Sequence, residues 1–267
     1  MSVDKLVTYN VYCAMLLAID IGNTNVVLGI FDGDILKATS RMATLRNATT
    51  EEVRLSIFNF FEQHEITIKY INKVILASVV PSLTTTYIHT IADYFRLEPI
   101  VISHKLKLPI HIEIDQPEQI GADRIANAVG GFVLYGSPII VVDFGTATTF
   151  DIISGDGTYI GGVIAPGPET SMAELARKAA RLFEVRVEPP KSVIGKSTAE
   201  AMKSGLFYGT VGQVDYIIDR ILDECAFDSC KVIATGGLSS NIEKYSRHIE
   251  QVVSDLTLQG LRIIVEG

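Results

Sequence analysis

The chain is poor in cysteine and histidine, has no excess of basic charge, and has no apolar run long enough to cross a bilayer. Its three cysteines, Cys13, Cys225 and Cys230, are too few for a disulfide framework and fit a reducing compartment. Cys225 and Cys230 have no histidine or second cysteine pair at metal-ligand spacing, so no zinc site is expected. The five histidines are scattered, and none pairs with a nucleophile at a recognisable spacing. A net charge of −8 and a pI near 5.2 argue against a general nucleic-acid surface. A transmembrane helix needs about 20 consecutive apolar residues, and no segment supplies them. These absences favour a cytoplasmic protein with neither a nucleic-acid nor a membrane partner. Gly195-Lys196-Ser197 imitates the end of a P-loop, but Pro190 stands where that motif needs its first glycine, and no buried strand precedes it.

What the chain does have is a repeat. Leu16–Phe31 reads LLAIDIGNTNVVLGIF and Ile139–Ile153 reads IIVVDFGTATTFDII. Each copy is an apolar run ending in Asp, then x-Gly, then short polar residues, then a second apolar run. Each is followed by an Asp/Gly turn and a third apolar stretch. The first run reads as a central strand buried on both faces. An aspartate at its end, Asp20 or Asp143, is costly to desolvate unless a cation or donors meet it. Gly22 and Gly145 let the backbone turn sharply and a ligand approach closely. Asn23, Thr24 and Asn25, and Thr146, Thr148 and Thr149, supply backbone N–H groups and short side-chain donors that suit phosphate oxygens. A carboxylate beside phosphate needs Mg²⁺ between them, so the unit predicts an Mg-nucleotide. One such copy is ordinarily a hairpin turn. Two copies in the same strand–turn–strand–turn–strand frame indicate duplicated domains facing one cleft.

The duplication divides the chain into 15–120 and 121–267, each of roughly 120 residues and large enough for its own core. Residues 1–14 read as an extension ahead of the first strand. Strands are expected at 16–20, 25–31 and 35–43, a helix over 50–64 capped by Thr50, a strand at 73–79, a helix over 82–95 and a short strand at 99–102. Residues 103–120 read as loop, followed by a helix over 122–135. Strands at 139–143, 147–153 and 157–164 repeat the first three. Helices over 169–182 and 198–225 flank a Pro-containing loop at 185–197. A strand at 231–235 runs into Gly236-Gly237, a turn where an adenosine could lie, and a helix–strand–helix ends the chain. This order gives an α/β protein of two mixed sheets flanked by helices.

Six motifs in order, D-I-G-N-T-N (20–25), G-A-D-R (121–124), D-F-G-T-A-T-T (143–149), G-G-V-I-A-P-G (161–167), S-G-L-F-Y-G (204–209) and A-T-G-G (234–237), resemble those of the type III pantothenate kinases over nearly all of 15–267. The resemblance implies two tandem RNase H-like domains, with the active site in the cleft between them. It also implies a homodimer and ATP-dependent phosphorylation of pantothenate, the first step of coenzyme A synthesis. By this likeness Asp20, Ile21, Gly22, Asn23, Thr24, Asn25, Val26 and Val27 line the ATP phosphates, with Asp20 near Mg²⁺. Thr146 touches ATP, and Asp143 binds a monovalent cation, K⁺ or NH₄⁺. Asp123 is the expected general base, with Gly121, Ala122 and Arg124 contacting pantothenate. Thr198 reaches pantothenate across the dimer, or else caps a helix. One departure is Ile114, where the family often has Tyr. Independently, a carboxylate at Asp123 can take the proton of an attacking hydroxyl, and phosphoryl transfer needs positioning and charge neutralisation above all. Taken without the repeats, Asp123 and Arg124 would read as a solvated ion pair at a helix start; the repeats favour the functional reading. Two other readings stay open: another small-molecule kinase of the same superfamily, and a non-catalytic nucleotide-dependent regulator. Lys178 and Lys196 read as surface charges.

Overall fold

The two repeats fold with one strand order. The computed structural model describes residues 14–227 and 229–267, so the extension expected at 1–14 lies outside the described residues except for Ala14. In the first half, β1 (Met15–Ile21), β2 (Asn25–Asp32) and β3 (Ile35–Ala43) form an antiparallel meander. β4 (Ile71–Ser78) then runs parallel to β1, and β5 (Ile100–Val101) parallel to β4. The sheet order is β3-β2-β1-β4-β5. In the second half, β7 (Ile139–Phe144), β8 (Ala147–Ile153) and β9 (Thr158–Pro166) repeat the meander. β10 (Lys231–Gly236) pairs parallel to β7, and β11 (Gln251–Val252) parallel to β10. Read from β9 the order is the same, with β6 (His111–Ile112) added beyond β9.

Strand side chains alternate between faces, and the burial records this. On β1, Leu17, Ile19 and Ile21 join a core under α1 (Thr50–Gln63) and α2 (Pro81–Phe95), on the outer side of the first sheet. Leu16 and Ala18 face inward. On β7, Ile140, Val142 and Phe144 meet α5 (Thr198–Cys225) and α6 (Ser239–Ile242) on the outer side of the second sheet, while Ile139 and Val141 face inward. Both inner faces share one core with α3 (Ala122–Tyr135) and α7 (Leu256–Glu266). The molecule is therefore layered helices, sheet, α3 and α7, sheet, helices.

The small residues of α3 and α7 make this middle layer thin. A side chain at Gly260 would sit 1.8 Å from the Ala126 carbonyl oxygen, so the two backbones cross in near contact. Such a crossing carries α3 through the interior, with Ile125, Ala126, Asn127, Ala128 and Val129 wholly enclosed, and delivers its first turn to the cleft.

Several local expectations are corrected. Thr49, not Thr50, caps α1: its side chain accepts from the Glu52 N–H, and Glu52 returns a bond to the Thr49 N–H. That reciprocal box needs Glu three residues on, which Thr49 has. Residues 103–120 are not all loop, because His111–Ile112 adds to β9. α4 spans Pro168–Lys178 and stops short of Leu182. Ala179 turns extended and the Leu182 N–H closes a separate turn on its carbonyl. Alanine gives no local stop signal, so periodicity overran the end.

Candidate active site

The repeat brings Asp20 and Asp143 to the ends of the two central strands, both on the inner faces by strand alternation. Asp123 stands in the first turn of α3, in the layer between them. The charge of Asp123 acts on both strand-end aspartates, and that of Asp143 on Asp20. Burial, followed by the charges of Asp123 and Asp143, pushes Asp20 up to about 8. Burial also raises Asp143 to about 6, against a bond from Asn127 Nδ2 at 2.9 Å. Asp123 is raised as well, chiefly by burial, with the Arg124 N–H bonded to its Oδ1 at 2.8 Å acting in the opposite sense. Clustered carboxylates of this kind favour a bound cation.

The two glycine turns meet at the cleft. Gly22 N–H bonds the Asn25 carbonyl and Gly145 N–H the Ala147 carbonyl, closing equivalent loops. Thr24 Oγ1 lies 2.7 Å from Thr146 Oγ1, a hydrogen bond between the copies. The end of β3 and the chain after it clasp the first loop. Thr44 Oγ1 donates to the Gly22 carbonyl at 2.7 Å, Thr44 N–H donates to the Thr24 carbonyl, and Arg46 Nη2 donates to Asn23 Oδ1 at 3.0 Å. The start of α4 clasps the second, with Gly167 N–H and Thr170 Oγ1 both donating to the Thr146 carbonyl. Asn23, Thr24 and Thr146 remain exposed at the loop tips, whereas Ile21 and Val26 are buried and belong to the outer core.

Gly236, with φ +89°, ends β10 against β7; a Cβ there would lie 2.6 Å from Asp143 Oδ1. The close approach keeps the A-T-G-G turn on the aspartate. Beyond it is a cavity of about 720 Å³ lined by Asn241 of α6, Glu169, Met172 and Ala173 of α4, and residues 184–188. It shares the first turn of α4 with the second loop.

Arg124 is not free in the cleft. Its Nε bonds Asp151 Oδ1 at 2.8 Å and its Nη2 bonds the Phe150 carbonyl at 3.3 Å. Tyr159 Oη donates to the same carboxylate oxygen at 2.9 Å. Asp151 is wholly buried, and burial raises it to about 7 despite Arg124. Among the described residues Asp151 Oδ2 and Thr149 Oγ1 find no hydrogen-bond partner. Asn127, also wholly buried, bridges Asp143 to Thr257, whose Oγ1 donates at 2.7 Å. Reasoning from the sequence missed Asp151, Tyr159 and Asn127. The signal for Asn127 was its place one helical turn after Asp123.

Among the described residues no hydrogen bond joins Thr198 to this group. It is exposed at the start of α5, where Ser197 is the cap, accepting from the Glu200 N–H. The helix-cap role considered for Thr198 therefore belongs to Ser197. Ile114 is half-buried and packs against the inner core.

Two sheets of one order, a shared inner helix layer and paired glycine turns define the two-lobed RNase H-like class that includes the acetate and sugar kinases, Hsp70 and actin. The fold is similar to that of ROK hexokinase from Thermus thermophilus, with a TM-score of 0.51 at 11% identity over 94% of this chain and 98% of that one. Residues 16–220 match the family model for type III pantothenate kinase. Relatives named type III pantothenate kinase include one from Geobacter sulfurreducens, 44% identical over 94% of this chain and 98% of its own. Another, from Agathobacter rectalis, is 38% identical over 94% and 96%. The chain belongs to the type III pantothenate kinase family. It is an enzyme, a kinase that phosphorylates pantothenate with ATP in coenzyme A biosynthesis.

Proposed function

We propose that Asp123 is the general base of this reaction, acting between a nucleotide held by both repeats and pantothenate held at the start of α3. The ATP phosphates lie along residues 20–27 and Thr146, supported by the hydrogen bond that draws Thr24 and Thr146 together. The adenosine lies at Gly236-Gly237, its base in the cavity beside Asn241. Pantothenate meets Gly121, Ala122 and Arg124, the last held stiffly by Asp151. Its primary hydroxyl oxygen bonds to the γ-phosphorus as the bridging oxygen–phosphorus bond breaks. The electron pair leaves with ADP, and the hydroxyl proton goes to Asp123. A raised proton affinity makes Asp123 a better acceptor than an ordinary carboxylate, provided it is ionised at the start.

The residues fit a divalent ion. Among the described residues no three acidic, histidine or cysteine side chains converge into a metal cage. One carboxylate, Asp20, with phosphate oxygens and water is the usual way Mg²⁺ is held at a nucleotide. When bound, Mg²⁺ neutralises phosphate charge. Asp143, fixed by Asn127 and pressed by the Gly236 turn, suits a monovalent cation, K⁺ or NH₄⁺. Ile160 on β9 is 41% exposed and Ile164 64%, an apolar stretch of that strand suited to a homodimer in which Thr198 enters the partner's site. Among the described residues no helix is long and apolar enough to cross a membrane, and we place the enzyme in the cytoplasm. The working units are 15–120 and 121–267, although β6 joins the second sheet and α7 packs on the first.

The observation that carries this reading is a carboxylate in the first turn of α3, in the layer between the two sheets whose central strands end in Asp20 and Asp143. Its test is ADP release with and without pantothenate, in wild type and Asp123→Asn. Turnover should fall by about 10²–10⁴-fold in the variant, with the melting temperature kept. Undiminished turnover refutes the base.

A further inference from the structure

Phosphoryl transfer at this cleft gathers a triphosphate and three carboxylates, and one divalent and one monovalent cation do not balance them. The sheet register shows where the further charge stands. Asp20 of β1 is paired directly with Val27 of β2, and Val27 directly with Arg41 of β3. Directly paired residues on antiparallel strands present their side chains on the same face. Val27 packs on the inner core, so Asp20 and Arg41 share the inner, cleft-facing side. Arg41 is exposed, and among the described residues no hydrogen bond or ion pair holds its guanidinium. Its charge nonetheless acts on both Asp20 and Asp143.

The strand beneath it is fixed to the phosphate loop. Three residues on, Thr44 bonds the carbonyls of both Gly22 and Thr24. Any ligand seated on that loop therefore sits at a set distance from Arg41. Arg124 differs, because Asp151 and the Phe150 carbonyl already occupy it. Arg46 differs too, being bound to the Asn23 side chain at the loop tip. The corresponding row of the second sheet is Asp143, Thr149 and Ile164, with no cation at all.

We propose that the Arg41 guanidinium contacts the phosphoryl group being transferred and stabilises the charge it develops, an arginine finger supplied by the chain itself. This rests on the kinase reading above. A guanidinium is suited to it, since its planar donors match phosphate oxygens and it stays charged at any working pH.

The test uses Arg41→Ala and Arg41→Lys in the full-length protein, with two readouts. The first is pantothenate-dependent turnover. Arg41→Ala should lower kcat on the order of 10²–10³-fold, as for loss of one donor to a transition-state charge, with KM for pantothenate little changed. Arg41→Lys should retain part of the activity, and free guanidinium ion should restore part of it to Arg41→Ala. The second is calorimetric affinity for a non-hydrolysable ATP analogue and for ADP. Only the loss of a contact to the γ-phosphoryl group weakens the triphosphate selectively, so Arg41→Ala should weaken binding of the ATP analogue by more than it weakens binding of ADP. A kcat within a few-fold of wild type overturns the proposal, as does equal weakening of both nucleotides, which would mark Arg41 as acting only through Asp20 and Asp143. If wild type shows no pantothenate-dependent turnover, the kinase reading fails, and the nucleotide preference alone decides the role of Arg41.

Discussion

The two halves share strand order and pairing, but they differ in what lies across the same rows. In the first, the row through the strand-end aspartate is Asp20, Val27, Arg41; in the second it is Asp143, Thr149, Ile164. Two residues back along the central strands, the first half reads Ala18, Gly29, Thr39 and the second Val141, Asp151, Gly162. Gly29 leaves room for Leu258 of α7, whereas Asp151 and Gly162 leave room for the Arg124 guanidinium. Duplication supplied two equivalent cradles, and their inner faces then took different tasks. The first carries a cation on the same face two strands from its carboxylate, unpaired among the described residues, and is covered by an apolar helix. The second locks an arginine beside the proposed base and leaves the apolar side chains of Ile160 and Ile164 on β9 exposed.

The largest expected effect comes from breaking the lock that only the second half has. Asp151→Ala leaves the Arg124 charge largely enclosed without its partner, which costs roughly 3–5 kcal/mol of stability, read as a lower denaturation midpoint. Its register counterpart Gly29 has no such charge to release, so a comparable loss there could arise only from crowding Leu258. Next, Asp20→Asn should lower turnover on the order of 10²–10³-fold and weaken the dependence on Mg²⁺. Asp143→Asn should instead alter the response to monovalent cations. If both variants show the same cation dependence, the functional division between the halves is wrong.

Much of this division was legible before the fold was known. The repeated D-x-G turns locate both strand ends, and the apolar runs before them fix which strands are central. The identical sheet orders follow from that duplication. Asp123 stands out as an acid in a first helical turn. Arg41 does not, because a strand's register with its neighbours is not written in its own residues. The Arg124–Asp151–Tyr159 contact is hidden for a related reason: partners 27 residues apart meet only once α3 lies against β8. β6, with two residues, is too short to give a periodic signal. The pairing of Thr24 with Thr146 could be anticipated only as two loops facing one cleft.

Smaller effects sharpen the contrast at the edges. Ile164→Arg places on the second row the charge that the first row has, on a face proposed to meet the partner subunit. Light scattering should show the dimer dissociating at lower dilution, while the melting temperature of the subunit changes little. An unchanged dimer would remove β9 from the interface. The smallest effect concerns pH. Asp151 is raised from its ordinary value to about 7, so the folded state holds its proton more tightly than the unfolded chain. Its contribution is fully present below about pH 4 and is lost as pH rises through 7. Between pH 5 and 8 the wild-type melting temperature should fall by a few degrees more than that of Asp151→Asn. Parallel curves would show that Asp151 is ionised throughout.

The division of labour between the two aspartates is tested most directly by titrating K⁺ against Na⁺ in the pantothenate-dependent reaction of wild type and Asp143→Asn, at saturating Mg²⁺ and ATP. The account predicts that K⁺ activates the wild type and that Asp143→Asn loses this activation while still binding nucleotide. Activation by K⁺ that survives in Asp143→Asn would contradict it.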